Sequence, residues 1–290
     1  MSKPYRRRDT EPMDAADISR RINAERLLLV AWLRAVLLQL AHPLIAAGVA
    51  EHSTFRGSSA AAFARLHQTV GAMLALTFGA HDERERALEA IRTIHRRVHG
   101  TLRAPVGIFP AGTPYSAEDS ALLVWVHATL VESVVLAYEQ LVQPLTAGDR
   151  DRYCADSADV AIELGARADA VPRSWAALRA YLDEGYASGQ VAVGQQALTL
   201  AAALVSPLNS RLGNRIVTPA ISLLAAGQLP PPVRLQYGFT WNRRRARRFV
   251  RFMTVLRLAR RIAPSRLALW KSARSIDCLA VRHGYSATAR

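Results

Sequence analysis

Residues 27–50 are the most apolar run in the chain, and four residues inside it limit what it can become. The run approaches the length of a membrane span. Arg34, Gln39 and His42 interrupt it, and Pro43 removes a backbone donor and bends any helix that reaches it. A mid-span charge combined with a kink argues against a simple transmembrane helix. The expectation is a buried core helix that bends at Ala41-His42-Pro43, with His42 bonding a backbone carbonyl freed by the bend.

The rest of the chain is patterned in the same way. Half of the 290 residues are hydrophobic, dominated by Ala and Leu, with little of the Val-Thr-Ile alternation that marks strands. Apolar residues recur at helical spacing, as in Phe63, Leu66, Val70, Met73 and Leu74. Helices are expected from Ser58 or Ser59 to about Thr77, and from an Asp82 cap through His95 to Val98. Another is expected from a Ser116 cap to about Val142, and more over 149–168, 174–186, 193–204, 213–226 and 241–262. Residues 101–115, with three prolines and two glycines, read as a loop, and Pro230-Pro231-Pro232 separates the last two helices. There is no internal repeat and no βαβ rhythm. The fold class expected is all-α, a single large helical domain over 18–240. A flexible lead over 1–17 precedes it, and a basic helical extension over 241–290 packs on it or flanks it.

Cys154 and Cys278 lie far apart with no CxxC spacing, which excludes a disulfide framework and a thiolate zinc site. The N-terminus is charged and does not look like a secretory signal. A reducing cytoplasm fits. The formal charge of +15 is concentrated late, at Arg243, Arg244, Arg245, Arg247, Arg248, Arg251, Arg257, Arg260 and Arg261. Such a run attracts anionic surfaces. No helix-turn-helix spacing or RNA-binding aromatic motif accompanies it, so specific nucleic-acid recognition is not expected. Peripheral contact with acidic membrane is, with Phe249, Phe252, Val255 and Leu256 on the apolar side.

The chemistry resides in two segments. In residues 91–100, read as a helix, His95 shares a face with Ile91, Val98 and His99, and Arg92 lies one turn before it. An imidazole on an apolar helical face with arginines nearby suits an axial haem ligand, and guanidinium groups pair with porphyrin carboxylates. The same spacing admits a metal site without haem, built from His95 and His99 with Glu132 or His127 as a third ligand. No HExxH or repeated ExxH supports that rival. His127, on an apolar helix beside Trp125, is the main competing haem ligand and could instead bond a propionate. In the other segment, Arg65, Gln68 and Thr69 stand at i, i+3 and i+4, so guanidinium, amide and hydroxyl share one helical face. His67, His81 and His283 read as solvated.

Several stretches together resemble the haem-dependent oxygenases related to latex-clearing protein and the fungal MpaB oxygenase. They are Leu38-Gln39-Leu40-Ala41-His42-Pro43 with Glu51-His52-Ser53-Thr54-Phe55, then Arg65-Leu66-His67-Gln68-Thr69, then Ile91-Arg92-Thr93-Ile94-His95 closing on Gly100. Trp125-Val126-His127-Ala128-Thr129-Leu130 is similar to a further family stretch. The resemblance implies an all-α fold, haem b (iron) as cofactor, and dioxygen-dependent chemistry on an apolar, often isoprenoid, small-molecule substrate. It implies that His95 is the proximal iron ligand, that Arg92 is the arginine one turn before it, and that Arg65 and Thr69 are the distal pair. Gln68 stands where latex-clearing protein has a lysine able to bind iron, and His99 where it has another arginine, so rubber cleavage is not implied. Glu51 lies in the region of that protein's catalytic glutamate, without a clear match in spacing.

Overall fold

The computed structural model describes residues 18–52, 59–205 and 211–273, the side chains of 59–67, 211–214 and 216 excepted. The expected lead over 1–17 therefore lies outside the described residues. The fold is all-α. Its helices are α1 (Ile18–Asn23), α2 (Leu29–Leu40) after a 3-10 turn (Arg26–Leu28), α3 (Pro43–His52), α4 (Ser59–Phe78), α5 (His81–His95), α6 (Ser120–Leu141) and α7 (Ala147–Glu163). They continue as α8 (Trp175–Ala187), α9 (Gln195–Val205), α10 (Arg211–Gln228), α11 (Pro231–Gln236), α12 (Arg243–Ile262) and α13 (Ser265–Ala268).

α6 is the axis of the molecule. Its 22 residues are apolar nearly all round and mostly buried, the pattern of a helix enclosed by others. α2 lies along it, and α7, α8 and α12 cover further sides. α6 is long and apolar enough to cross a membrane, but most of it is buried within this fold. The run over 27–50 does break as its proline requires: α2 and α3 meet at 104°. Pro43 takes the first position of α3, where its missing N–H costs nothing. His42 accordingly keeps a backbone role, its carbonyl accepting from the Ala46 amide at 3.0 Å. Its ring does not take the expected carbonyl: Nδ1 has no partner, and the imidazole packs on Phe109 and Trp125.

Three local expectations need correction. α5 starts two residues early, capped at Ala80, whose amide donates to the Glu83 carboxylate, so Asp82 is inside the first turn and is not the cap. α6 is capped by Asp119, which accepts from the Ala121 amide; Ser116 lies in a strand. That strand, β2 (Pro114–Ser116), pairs antiparallel with β1 (His99–Thr101), with Gly100 opposite Tyr115. The loop expected over 101–115 stands for 102–113, and only its two ends pair as short strands. Gly100 is required there, since a Cβ would fall 2.6 Å from the Tyr115 hydroxyl. The proline run also does more than separate helices: Pro231 and Pro232 open α11.

α12 folds back onto α6 and α10. Met253 is buried there, and the Phe249 ring lies where a Cβ on Gly227 would stand, 2.2 Å away. Arg260 makes a bidentate pair with Glu25 at 2.6 Å, which ties α12 to the turn before α2. Cys154 is buried, and burial pushes its thiol up to about 12, so it is inert.

Candidate functional site

α4 and α5 form a tight helical hairpin around Gly79. Arg65 and His95 stand fifteen positions before and after the turn residue Ala80. Only the backbone position of Arg65 is described. Gln68 and Thr69 are exposed. The next turns of α4 present a different face: Val70, Met73, Leu74 and Thr77 close on Leu28, Leu29, Trp32, Val134 and Trp270 around an apolar cleft. Helical spacing places Gln68 opposite that cleft, while Thr69 stands one turn before Met73 at its edge.

His95 is the last residue of α5 and is half-buried. Its Nδ1 is buried without a hydrogen-bond partner. Burial lowers its pKa, opposed by the Glu118 carboxylate near the start of α6. His127 is in the same condition more deeply. It is buried on α6, its Nε2 has no partner, and burial alone pushes its pKa down to about 4. At neutral pH both rings are neutral, the form in which imidazole gives a lone pair to a metal. His127 and Val134 are seven residues apart on α6 and share one stripe, so the stripe that carries His127 also supplies a wall of the apolar cleft.

Arg92 is held by the protein. Its Nε and Nη2 donate to the Glu163 carbonyl at 3.1 and 2.7 Å, which fastens α5 to the end of α7. Nη1 stands 3.7 Å from Glu89.

His99 does not join His95. The helix ends at His95, and His99 lies in β1 with its ring 6.5 Å from that of His52. The four-residue helical spacing on which the haem-free metal site rested is therefore absent. Glu132 is also unavailable to a metal. Its Oε2 receives Arg34 Nη2 at 2.6 Å and its Oε1 receives Arg179 Nη1. Arg34 also donates to Ser133 Oγ at 2.7 Å and to the Gln228 carbonyl at 3.0 Å. Among the described residues no group of three His, Cys, Asp or Glu side chains is placed to hold a metal ion.

Glu51 has structural work. It accepts from the Tyr115 hydroxyl at 2.8 Å and from Arg103 Nε at 2.9 Å. The Tyr115 bond, followed by the Arg103 charge and bond, holds its carboxyl below the usual range. Burial and Glu51 together push Tyr115 up to about 12. The pair pins the hairpin to α3. Sequence reasoning missed Tyr115, although a tyrosine opposite a glycine in a short strand pair is the signal that could have found it.

The helical body thus carries neutral imidazoles with unpartnered nitrogens on α5 and α6. The family model described as "ER-bound oxygenase mpaB/B'/Rubber oxygenase, catalytic domain" matches residues 19–258. The chain belongs to this family of oxygenases. It is also similar to uncharacterized protein Mb2261 of Mycobacterium bovis and uncharacterized protein Rv2237 of Mycobacterium tuberculosis. Each is 28% identical over 236 residues, covering 80% of this chain and 88% of the relative. No solved structure matches.

Proposed function

We propose that the chain is a haem b-dependent oxygenase acting with dioxygen on an apolar substrate of isoprenoid or lipid type, with His95 as the iron ligand. The observation that carries this is the buried, unpartnered Nδ1 of a neutral His95 at the end of α5. An orphaned buried nitrogen costs free energy unless something fills it. A histidine outside any group of three His, Cys, Asp or Glu side chains among the described residues suits a metal whose other ligands come from a macrocycle. Haem supplies, when bound, the oxygen chemistry that protein side chains lack.

The remaining roles fall to this chain's own groups. Arg92, clamped to the Glu163 carbonyl, fixes the rotation of α5 and so aims His95. His127 offers a second neutral nitrogen, either as the rival ligand or as a hydrogen-bond donor to a cofactor carboxylate. Arg65, Gln68 and Thr69 bring a cation, an amide and a hydroxyl to one face of α4, donors suited to an oxygen-derived anion. The cleft between α2, α4 and α6 is water-sized as it stands and lined mainly by apolar side chains, the surface chemistry an apolar substrate needs.

Titration of the purified chain with hemin tests the reading. The expected result is a Soret band saturating at one haem per chain, with carbon monoxide binding after reduction. A chain that stays colourless with excess hemin would falsify it.

A further inference from the structure

The charge of this chain is confined to one part of it. From Gly185 to Ile276 there is no Asp or Glu, and 15 Arg and Lys occur; all other residues together carry 23 basic and 23 acidic side chains. The whole formal excess of +15 therefore belongs to the segment that contains α12. Within α12, Arg260 pairs with Glu25 and Arg245 donates to Ser222 and Thr240, while the half-buried Arg257 has an Nε without a partner. The outward ones, Arg243, Arg244, Arg247, Arg248 and Arg251, are exposed and pair with no carboxylate among the described residues.

The outer face changes character along its length. Val250 is exposed among the arginines, and beyond Arg251 the face carries Val255, Leu258 and Ile262, then Leu267 of α13, all exposed, with Ile262 at 85% and exposed Arg261 and Arg266 beside them. The apolar side expected from sequence was different. Phe249, Phe252 and Leu256 are half-buried against the body, and only Val255 of that set faces out. Packing has used the aromatic residues and left an aliphatic row in water.

We propose that the outer face of α12 and α13 docks on an acidic lipid bilayer. Unpaired guanidinium groups at one end meet lipid phosphates, and the aliphatic row at the other enters the boundary between headgroups and acyl chains. Nucleic acid would use the arginines and leave four aliphatic side chains exposed, so the two-part face favours lipid. Trp270, three residues after Leu267, forms a wall of the apolar cleft. Docking thus brings the cleft beside the lipid phase that dissolves an apolar substrate. Only this use of docking rests on the oxygenase reading; docking itself needs no haem.

Co-sedimentation of the full chain with phosphatidylcholine vesicles, with and without phosphatidylglycerol, tests it. Binding is expected only with the anionic lipid. Arg247→Glu with Arg248→Glu should weaken it at least tenfold, at about fivefold for each arginine near the surface. Leu258→Ser with Ile262→Ser should also weaken it about tenfold, at unchanged circular dichroism. Val255→Ser with Leu267→Ser is an independent apolar pair. Wild-type vesicle binding by both apolar pairs overturns the proposal. So does tight DNA binding without vesicle binding, or a dimer that the apolar substitutions turn into a monomer while vesicles are ignored. Because the readout is sedimentation, failure here is separate from failure to bind hemin.

Discussion

Two polar sites on α6 lie five residues apart and are treated in opposite ways. At Glu132 every oxygen is taken: two arginines converge on the carboxylate, and Arg34 spends its remaining donors on Ser133 and the Gln228 carbonyl. At His127 a buried nitrogen has nothing, and His95 on α5 repeats the condition. A fully satisfied buried ion cluster locks α2, α6, α8 and α10 together and offers no valence to a ligand. An orphaned neutral imidazole adds nothing to the scaffold and leaves a lone pair free.

Substitutions can break that contrast. The largest effect expected is on cofactor retention. His95→Ala should lose essentially all haem while keeping its helical circular dichroism and unfolding midpoint. Full haem with an unshifted Soret band would transfer the ligand role, with His127 next in line. Glu132→Ala should do the reverse. It strands Arg34 in the core and should cost about 3–5 kcal/mol in urea unfolding, with the Soret position of the remaining folded fraction unchanged.

The acid limb of stability reports on the orphaned histidines. Burial pushes His42 down to about 4 from 6.5, against the opposing charge of Asp119. The unfolded chain protonates this ring below about 6.5 and the folded one only near 4. Its contribution is therefore complete above 6.5 and lost as pH falls toward 4, by about 3 kcal/mol at the lower end. In His42→Leu, urea unfolding should lose that much less stability between pH 7 and pH 4, and an acid limb as steep as wild type would refute the assignment. The smallest effect sharpens the scaffold side. Arg179 is partly exposed at 41%, so Arg179→Met should cost only about 1 kcal/mol, far less than loss of Glu132.

Much of the frame was legible in the sequence. Phe63 to Leu74 announced α4, and Pro43 announced the break after α2, because both depend on residues three or four apart. The late arginines were equally plain. What failed were single-residue matters: Asp82 as a cap, His99 as a helical neighbour of His95, the aromatic side of 241–261, and the hairpin at Gly100 and Tyr115. Each depended on where a helix ends or which face the body covers, and neighbouring residues do not encode that.

The sequence by itself determined an all-helical chain, a bend at His42-Pro43 and a charge excess confined to its last third, since periodicity, proline geometry and composition are local. Only the tertiary structure decided that Glu132 is scaffold and that His95 and His127 are left unpartnered. Those outcomes rest on contacts such as Arg34 with Glu132, 98 residues apart. Whether a buried polar group is satisfied depends on what folding brings from that distance.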